Sequence, residues 1–264
     1  MALTATYDPL LGRIRLTGTS LGATATYAVF DRTTNGVTYT VVRGGSGVLV
    51  TSATAKVDDY EFPVDQAVTY RVRSYNASNV LQQTFTASIT QDLDNPWLKS
   101  ISRPFLNREI VVSEAGDVSH SNRASIFQVV GRSDPVAVTD TGGLTSYDLV
   151  VTTFSDGEAD VLRYLVTSGD VIFLQSSASC KLPVEGYFAI GNVTESRHGN
   201  KRGRKWFTLP LTRVAAPGPD VIGSTYTWAS VLADYATWAD VIAANLTWAD
   251  LLEHVGDPSE VIVP

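Results

Sequence analysis

The chain has 264 residues and a formal net charge of −7, and 44% of its residues are hydrophobic against 18% charged. This composition can build packed cores, which excludes a disordered chain, and the acidic balance gives no overall attraction for nucleic acid or anionic membranes. Cys180 is the single cysteine, so an intramolecular disulfide is excluded. Because we find neither a run of about 18 apolar residues nor a signal-peptide pattern, we expect a soluble protein.

Residues 7–90 carry the pattern of short β-strands. GRIRLTG and TYRVRSY alternate apolar and polar residues, and Asn35-Gly36 separates two β-rich segments. Asparagine and glycine tolerate the positive φ of a tight turn, so this dipeptide predicts a hairpin. About seven such strands, with turns every 8 to 12 residues or so, predict a β-sandwich over residues 1–90.

The segment FPVDQAVTYRVRSYNAS places Phe62-Pro63 ahead of Tyr70 and an alternating strand. This order resembles one corner of fibronectin type III domains, in which a tyrosine hydroxyl bonds back to the preceding turn. The resemblance implies a fibronectin III-like sandwich and a structural hydrogen bond from Tyr70. Such modules act as spacers or adhesion surfaces, and the fold alone identifies no ligand.

A second domain is predicted over residues 91–214. Asn95-Pro96 and Arg103-Pro104 interrupt regular structure, which predicts a linker at its start. Ser155 and Glu158 form a capping box ahead of an apolar helical face, so one helix is predicted over 156–167. That face comprises Val161, Leu162, Leu165 and Val166. Strands are predicted on both sides of the helix, in REIVVSE, ASIFQVVG, SYDLVVTTF, VIFLQ, GYFAIGNVTES and KWFTLPLTRVA.

The sequence offers no catalytic or metal-binding constellation. Nucleophile-elbow, zinc-protease and Walker-type motifs are absent from it. His120, His198 and His254 have no cysteine or acidic motif at metal-ligand spacing. The acidic segments 92–94 and 156–160 are interpreted as a linker and a helix start. Cys180 is interpreted as an inert thiol. We therefore predict no enzyme, no metal and no cofactor.

One basic segment, RHGNKRGRK at 197–205, lies between two predicted strands. Its charges are Arg197, Lys201, Arg202, Arg204 and Lys205. One interpretation is a solvated hairpin loop. The other is an electrostatic contact with acidic groups of a neighbouring subunit, which suits an otherwise acidic chain. Contact with DNA has less support, because no aromatic residues interleave with the charges.

The C-terminal region, 215–264, combines a Pro/Gly-rich linker with three decapeptides that begin Thr-Trp-Ala at 227, 237 and 247. Each threonine predicts the N-cap of a helix of one to two turns, which is unstable alone in water. The apolar faces either fold back on their own chain or dock into grooves of a neighbour, and the preceding linker favours docking. The predicted partner-binding residues are Trp228, Trp238, Trp248, Val241, Ile242, Leu251 and Leu252.

Several motifs in a consistent order resemble minor tail proteins of long-tailed phages that infect actinobacteria. They are NPWLKSISRPFLNREIVV, VGRSDPVAVTDTGGLTSYDLVVTT, GDVIFLQ, YFAIGNVTESR, WFTLPLTRV and the terminal Thr-Trp-Ala-Asp repeats. The middle domain also resembles the β-barrel with a flanking helix of distal tail proteins and tail-tube subunits.

This resemblance implies a non-enzymatic virion protein of a tail tip or baseplate, assembled in the host cytoplasm. It implies a ring of identical subunits, usually six, with a trimer as the alternative. The expected neighbours are tail-tube, tail-tip hub or tail-fibre proteins, with no membrane partner. The alternative function is binding of a receptor or carbohydrate on the host surface through the N-terminal module.

Overall fold

The computed structural model describes residues 2–139, 142–197, 203–218, 235 and 237–244. The protein is mainly β, with 46% strand, several antiparallel sheets and two α-helices among the described residues. This confirms the predicted fold class at its coarse level. The chain divides into two compact units. Unit 1 comprises residues 1–109, 175–181 and 217–264, and unit 2 comprises residues 110–174 and 182–216.

Unit 1 contains two antiparallel sheets that share one hydrophobic core. The first has the order β1-β2-β6 and the second β4-β3-β7-β8, with β5 also paired to β3. The strands are β1 (Leu3–Asp8), β2 (Arg13–Gly18), β3 (Tyr27–Thr33), β4 (Thr40–Val41), β5 (Val48–Leu49), β6 (Ala55–Asp59), β7 (Ala67–Tyr75) and β8 (Leu81–Thr90). Ile14, Leu16, Phe30 and Val72 of the two sheets are buried together in the core. The two-sheet arrangement agrees with the predicted sandwich, while its finer assignment to the fibronectin III class stays a prediction.

The alternation in β7 sets its two faces. Val68, Tyr70 and Val72 are buried, and the residues between them are partly exposed. The predicted turn at Asn35-Gly36 is present, with φ of +71° at Gly36. The loop is longer than a tight hairpin, however, because β4 begins only at Thr40. The Asn35 side chain accepts hydrogen bonds from two following backbone amides, which stabilises this wider loop.

The segment predicted as a linker belongs to unit 1. It forms β9 (Trp97–Ser100), a 3₁₀ turn (Pro104–Leu106) and β10 (Arg108–Glu109), which pairs with β9. Trp97 is buried in the core, and a Cβ on Gly12 would lie 2.7 Å from its ring. Unit 1 therefore extends to Glu109, beyond the predicted boundary at residue 90. The two prolines predict an interruption, but the tryptophan between them is buried and holds this segment on unit 1.

Unit 2 is built on an antiparallel sheet with the order β16-β17-β19-β15-β11, in which β12 also pairs with β15 and β18 with β19. A separate hairpin pairs β13 with β14. The strands are β11 (Val111–Ala115), β12 (Ser119–His120), β13 (Ala124–Phe127), β14 (Val136–Thr139), β15 (Thr145–Thr153), β16 (Ile172–Gln175), β17 (Gly186–Ile190), β18 (Thr194–Arg197) and β19 (Lys205–Arg213). The described order ends at β11, and the predicted distal-tail-like barrel stays a prediction.

Helix α1 (Asp156–Thr167) confirms the predicted bounds. The Ser155 side chain accepts a hydrogen bond from the Glu158 amide, as the capping box predicts, and Gly169 beyond the end has φ of +77°. The buried face is Ala159, Leu162 and Leu165. The prediction was wrong for Val161, which is 41% exposed, because it lies about 100° around the helix from Leu162, the centre of the buried stripe.

Candidate functional site

The most prominent surface feature of unit 2 is a two-stranded ribbon that continues beyond the sheet. β11 and β12 pair with β15, and the ladder goes on through two backbone hydrogen bonds of Ser121, to Gly143 and Leu144. β13 and β14 then pair from Ala124↔Thr139 to Phe127↔Val136. We call residues 121–139 the arm. The paired strands of the arm, Ala124–Phe127 and Val136–Thr139, have four residues each and are about 13 Å long.

Every residue of the arm is exposed. Its large apolar side chains include Ile126 (69% exposed), Val138 (59%), Phe127 (55%) and Val130 at the tip (102%). An isolated two-stranded hairpin is marginally stable in water, and contiguous exposed apolar surface commonly marks an interaction site. The arm is therefore the surface of the described chain that most needs a partner.

The register shows that both faces of the arm are apolar. Residues directly opposite each other share a face. One face carries Ala124, Ile126, Ala137 and Thr139, and the other carries Ser125, Phe127, Val136 and Val138. A sheet with one face in water normally alternates apolar with polar residues. Neither face of the paired strands carries a charge, so neither has the composition of a solvent face.

A shallow pocket of about 350 Å³ lies at the base of the arm. It is lined by Gly116, Asp117, Ser119, Ser146, Tyr147, Asp148, Pro210, Leu211 and Thr212. Asp117 and Asp148 are exposed, and among the described residues neither carboxylate has an ion-pair partner. The pocket combines an acidic rim with apolar atoms of Pro210, which suits a cationic side chain flanked by apolar residues.

The basic segment predicted as a contact lies in a hairpin, in which β18 pairs with β19 from Thr194↔Thr208 to Arg197↔Lys205. Lys205 is paired within the chain, since its Nζ lies 3.1 Å from Glu195 and 3.5 Å from Asp156. Arg197 is exposed, and the Arg204 guanidinium lies over the Phe154 ring. Lys201 and Arg202 lie outside the described residues.

Glu195 links this basic hairpin to helix α1. It accepts hydrogen bonds from Arg163, with Nη2 2.9 Å from Oε2. These bonds, followed by the bond from Lys205, lower the pKa of the Glu195 carboxyl below its usual range. At least part of the predicted charge run is thus used to join a hairpin to a helix of the same unit. This favours the structural interpretation for Lys205.

The second decapeptide forms the short helix α2 (Trp238–Ala244). Thr237 is the N-cap, as predicted, and Asp240 makes the cap reciprocal: the Asp240 amide donates to Thr237 Oγ1, and the Thr237 amide donates to Asp240 Oδ2. Trp238 is 57% exposed and Ile242 68% exposed, whereas Val241 is buried. The predicted common face is therefore split. Trp228, Trp248, Leu251 and Leu252 lie outside the described residues.

The start of the C-terminal region is held on unit 1 by Arg43. Its guanidinium donates to the carbonyl oxygens of Pro217 (3.2 Å) and Gly218 (2.5 Å) and pairs with Glu61 at 2.7 Å. Together with the burial of Val241, this contact gives some weight to folding back on the same chain. The Pro/Gly-rich linker before the decapeptides favours outward docking, which stays a prediction.

The interior of unit 1 holds a polar cluster that the sequence analysis anticipated only in Tyr70. The Tyr70 hydroxyl donates to Asp59 Oδ2 at 2.8 Å, and Asp59 also pairs with Arg32. Burial, followed by the Asp59 charge, raises the pKa of Tyr70. The predicted hydrogen bond exists, but its acceptor is a carboxylate at the end of β6 rather than the preceding turn.

Lys99 is a second buried polar group of unit 1 that sequence reasoning missed. Its Nζ donates to the carbonyl oxygens of Gly12 (2.5 Å) and Tyr60 (2.8 Å) and to the Gln175 side chain. Burial lowers its pKa to about 7, with Asp59 opposing that shift. The three acceptor oxygens match the three N–H groups of the ammonium form and join β9 to two loops of the sandwich and to Gln175. We interpret Lys99 as structural.

Unit 1 also presents an aromatic pair. Tyr27 and Tyr75 lie opposite each other on β3 and β7, with ring centroids 5.2 Å apart and an interplanar angle of 14°. Leu49 is opposite Tyr27 and Leu81 is opposite Tyr75, and these leucines are 68% and 51% exposed. The four side chains form an apolar strip across neighbouring strands. It is the nearest feature to the aromatic platform expected of a carbohydrate-binding module.

Metal and membrane features are not found in the described part of the chain. It contains no group of three or more His, Cys, Asp or Glu residues placed to hold a metal ion. Nor does it contain a helix long and apolar enough to cross a membrane. His120 lies 3.2 Å from the Thr145 hydroxyl on the exposed ribbon, and Cys180 is partly buried.

Comparisons with known proteins identify no family for this chain. No protein-family model matches the chain, and no curated protein matches its sequence. The resemblance to phage tail proteins therefore rests on the quoted motifs, and the exposed arm is the strongest structural feature that bears on function.

Proposed function

We propose that this protein is a self-associating structural subunit of a phage tail tip or baseplate. The observation that carries the proposal is the arm, with apolar side chains on both faces and no cover from the described part of its own chain. A protein that stays monomeric is not stabilised by such an arm, since exposed apolar strands promote aggregation. A subunit of an ordered assembly buries the arm against a neighbour. The apolar area buried there contributes roughly 25 cal/mol per Å² to the free energy of association.

The ring expected from the phage resemblance fits this chemistry. A single arm that docks on a different surface of the next copy makes a head-to-tail contact, and such contacts close into rings when the rotation allows it. The number of subunits, six or three, follows from that rotation. Tail-tube, hub or fibre proteins would then contact the assembled ring, and no catalytic step enters the proposed function.

Removing the arm tests the proposal. Ser121 already exchanges hydrogen bonds with Gly143 and Leu144, so an Asn-Gly turn in place of residues 122–142 closes the ribbon at its base. We expect the full chain to assemble and the shortened chain to be monomeric in native mass spectrometry, with similar melting temperatures. A full chain that stays monomeric at all concentrations, or a shortened chain that assembles normally, would contradict self-association through the arm.

The place of the protein in a virion needs a separate measurement. Antibodies against the purified chain are expected to label one end of the tail in electron micrographs of intact phage. Labelling of the capsid, or of infected cells but not particles, would contradict the tail assignment. This measurement does not depend on the oligomeric state in solution.

The alternative function, binding to the host surface, has one structural observation in its favour. The strip formed by Leu49, Tyr27, Tyr75 and Leu81 offers aromatic and apolar atoms on unit 1. If it binds cell-wall carbohydrate, the chain should bind actinobacterial cells, and Tyr27→Ala should reduce that binding. Equal binding by the variant would remove this support and leave the structural proposal unaffected.

A further inference from the structure

The tip of the arm and the pocket at its base have complementary surfaces. The tip carries Val129, Val130 and Arg132, which are all exposed, and the pocket carries Asp117 and Asp148. Among the described residues, the side chains of Arg132 and both aspartates have no ion-pair partner. An arginine with two free carboxylates nearby gains charge-assisted hydrogen bonds that are stronger than neutral ones.

The two surfaces do not meet within one chain. The pocket includes Ser119 and Ser146, which are paired at the base of the arm, whereas Val130 and Arg132 of the tip are exposed and do not line it. The paired strands of the arm, four residues each and about 13 Å long, separate the tip from the base. An arm that carries Arg132 away from its own pocket can deliver it only to the pocket of another molecule.

The charge distribution favours a second copy of the same chain as that molecule. Residues 121–139 contain Arg123, Arg132 and Asp134, a net charge of +1, whereas the whole chain carries −7. The remainder of the chain is therefore at −8. A weakly cationic arm on an acidic chain is attracted to other copies, and opposite potentials favour correct encounter over wrong partners.

We propose that the arm of one copy docks on the next copy with Arg132 in the acidic pocket formed around Asp117 and Asp148. The apolar residues Val129 and Val130 contact the apolar atoms of Pro210. This site rests on the proposed self-association and specifies its acceptor. Because tip and pocket are different surfaces, every copy uses one of each, and the contact is heterologous.

Charge exchange tests the acceptor in the full-length chain. Arg132→Asp and Asp148→Arg should each raise the dissociation constant of the assembly by about tenfold or more, and the double variant should recover most of this loss. Arg123→Asp at the base of the arm and Asp134→Asn at its tip are matched controls, for which we expect less than about a threefold change. Assembly is measured by native mass spectrometry and sedimentation, and melting temperatures verify folding.

The outcomes separate the acceptor from the proposed function. Recovery in the double variant supports the pocket as the acceptor. Single variants that assemble like the original chain, a double variant with no recovery, or an equal loss in Arg123→Asp overturns the acceptor. If the chain without its arm is monomeric in that case, self-association stands. A full chain that is monomeric at all concentrations overturns both proposals.

Discussion

The interior of unit 1 and the arm of unit 2 depart from the usual distribution of residues in opposite directions. In unit 1, Arg13, Asp59 and Lys99 are at most 2% exposed, and each is bonded to groups of the same unit. In the arm, Ile126 and Val130 are exposed. Buried charge is tolerated only when it is paired, and exposed apolar area is tolerated only in small patches. Unit 1 meets its requirement within one chain, whereas the arm does not.

This difference predicts separate effects for substitutions in unit 1 and in the arm. Changes in the polar cluster of unit 1 should lower the free energy of unfolding and leave the tendency to assemble intact. Changes in the arm should do the reverse, because none of the other described residues depends on its side chains for cover. The predictions that follow measure how cleanly the two effects separate.

The largest effect on stability is expected for Asp59→Ala. Asp59 pairs with Arg32, whose side chain is 19% exposed, and accepts from the Tyr70 hydroxyl and the Glu61 amide, so its loss leaves a largely buried charge and two donors unpaired. Breaking a buried pair in this way costs about 3–5 kcal/mol. Urea denaturation gives the free energy of unfolding. Asp134→Ala, an exposed acid in the arm, is the control and should change it by less than about 0.5 kcal/mol.

The pH dependence of stability should carry a contribution from Lys99. Its pKa is lowered by burial to about 7, below the unfolded value of about 10.4. Between these values the unfolded state holds a proton that the folded state lacks, so the free energy of unfolding rises with pH, by at most about 1.4 kcal/mol per unit.

Lys99→Met removes this titration and serves as the reference. The difference in stability between the original chain and the variant, measured by denaturation from pH 7 to pH 10, should grow in favour of the original chain. A constant difference over this interval would mean that the three acceptor oxygens hold the ammonium in its charged form.

Local patterns in the sequence were sufficient for much of the fold. The capping box at Ser155 predicted the bounds of α1, and the alternation in TYRVRSY predicted the two faces of β7. These features are set by neighbours within a few residues. The burial of Trp97 against Gly12 depends on a contact between residues far apart in the chain, which no local pattern encodes.

The candidate site was predicted less well. The segment ASIFQVVG was correctly predicted to contain a strand, but its exposure was not foreseen, because an apolar strand is ordinarily assigned to a core. The sequence instead indicates the basic segment as a contact, because its charges lie close together in the chain. The ion-pair partners of Lys205 are Asp156 at the start of α1 and Glu195 on β18, and only folding brings them close to Lys205.

A moderate loss of stability is expected for Tyr70→Phe. The substitution keeps the buried ring and removes only the hydroxyl that donates to Asp59. A hydrogen bond to a charged group contributes about 1.5–3 kcal/mol, which is more than the roughly 1 kcal/mol of a bond to a neutral acceptor. Tyr164→Phe, at a tyrosine that is 45% exposed, is the matched control. Equal melting of the two variants would show that the Asp59 bond contributes nothing net.

The smallest effect is expected in the basic hairpin, when Lys201, Arg202, Arg204 and Lys205 are replaced together by serine. Lys205 loses partly exposed ion pairs to Glu195 and Asp156, which are worth about 0–1 kcal/mol. Because we assign assembly to the arm, the variant should assemble like the original chain. If the hairpin instead contacts acidic groups of a neighbour, the variant should assemble poorly. Native mass spectrometry across a salt series, with Arg132→Asp as the comparison, distinguishes the two, since salt screens exposed charges beyond about 8 Å. Weaker assembly in the serine variant than in Arg132→Asp would assign the contact between copies to the basic hairpin instead of the arm.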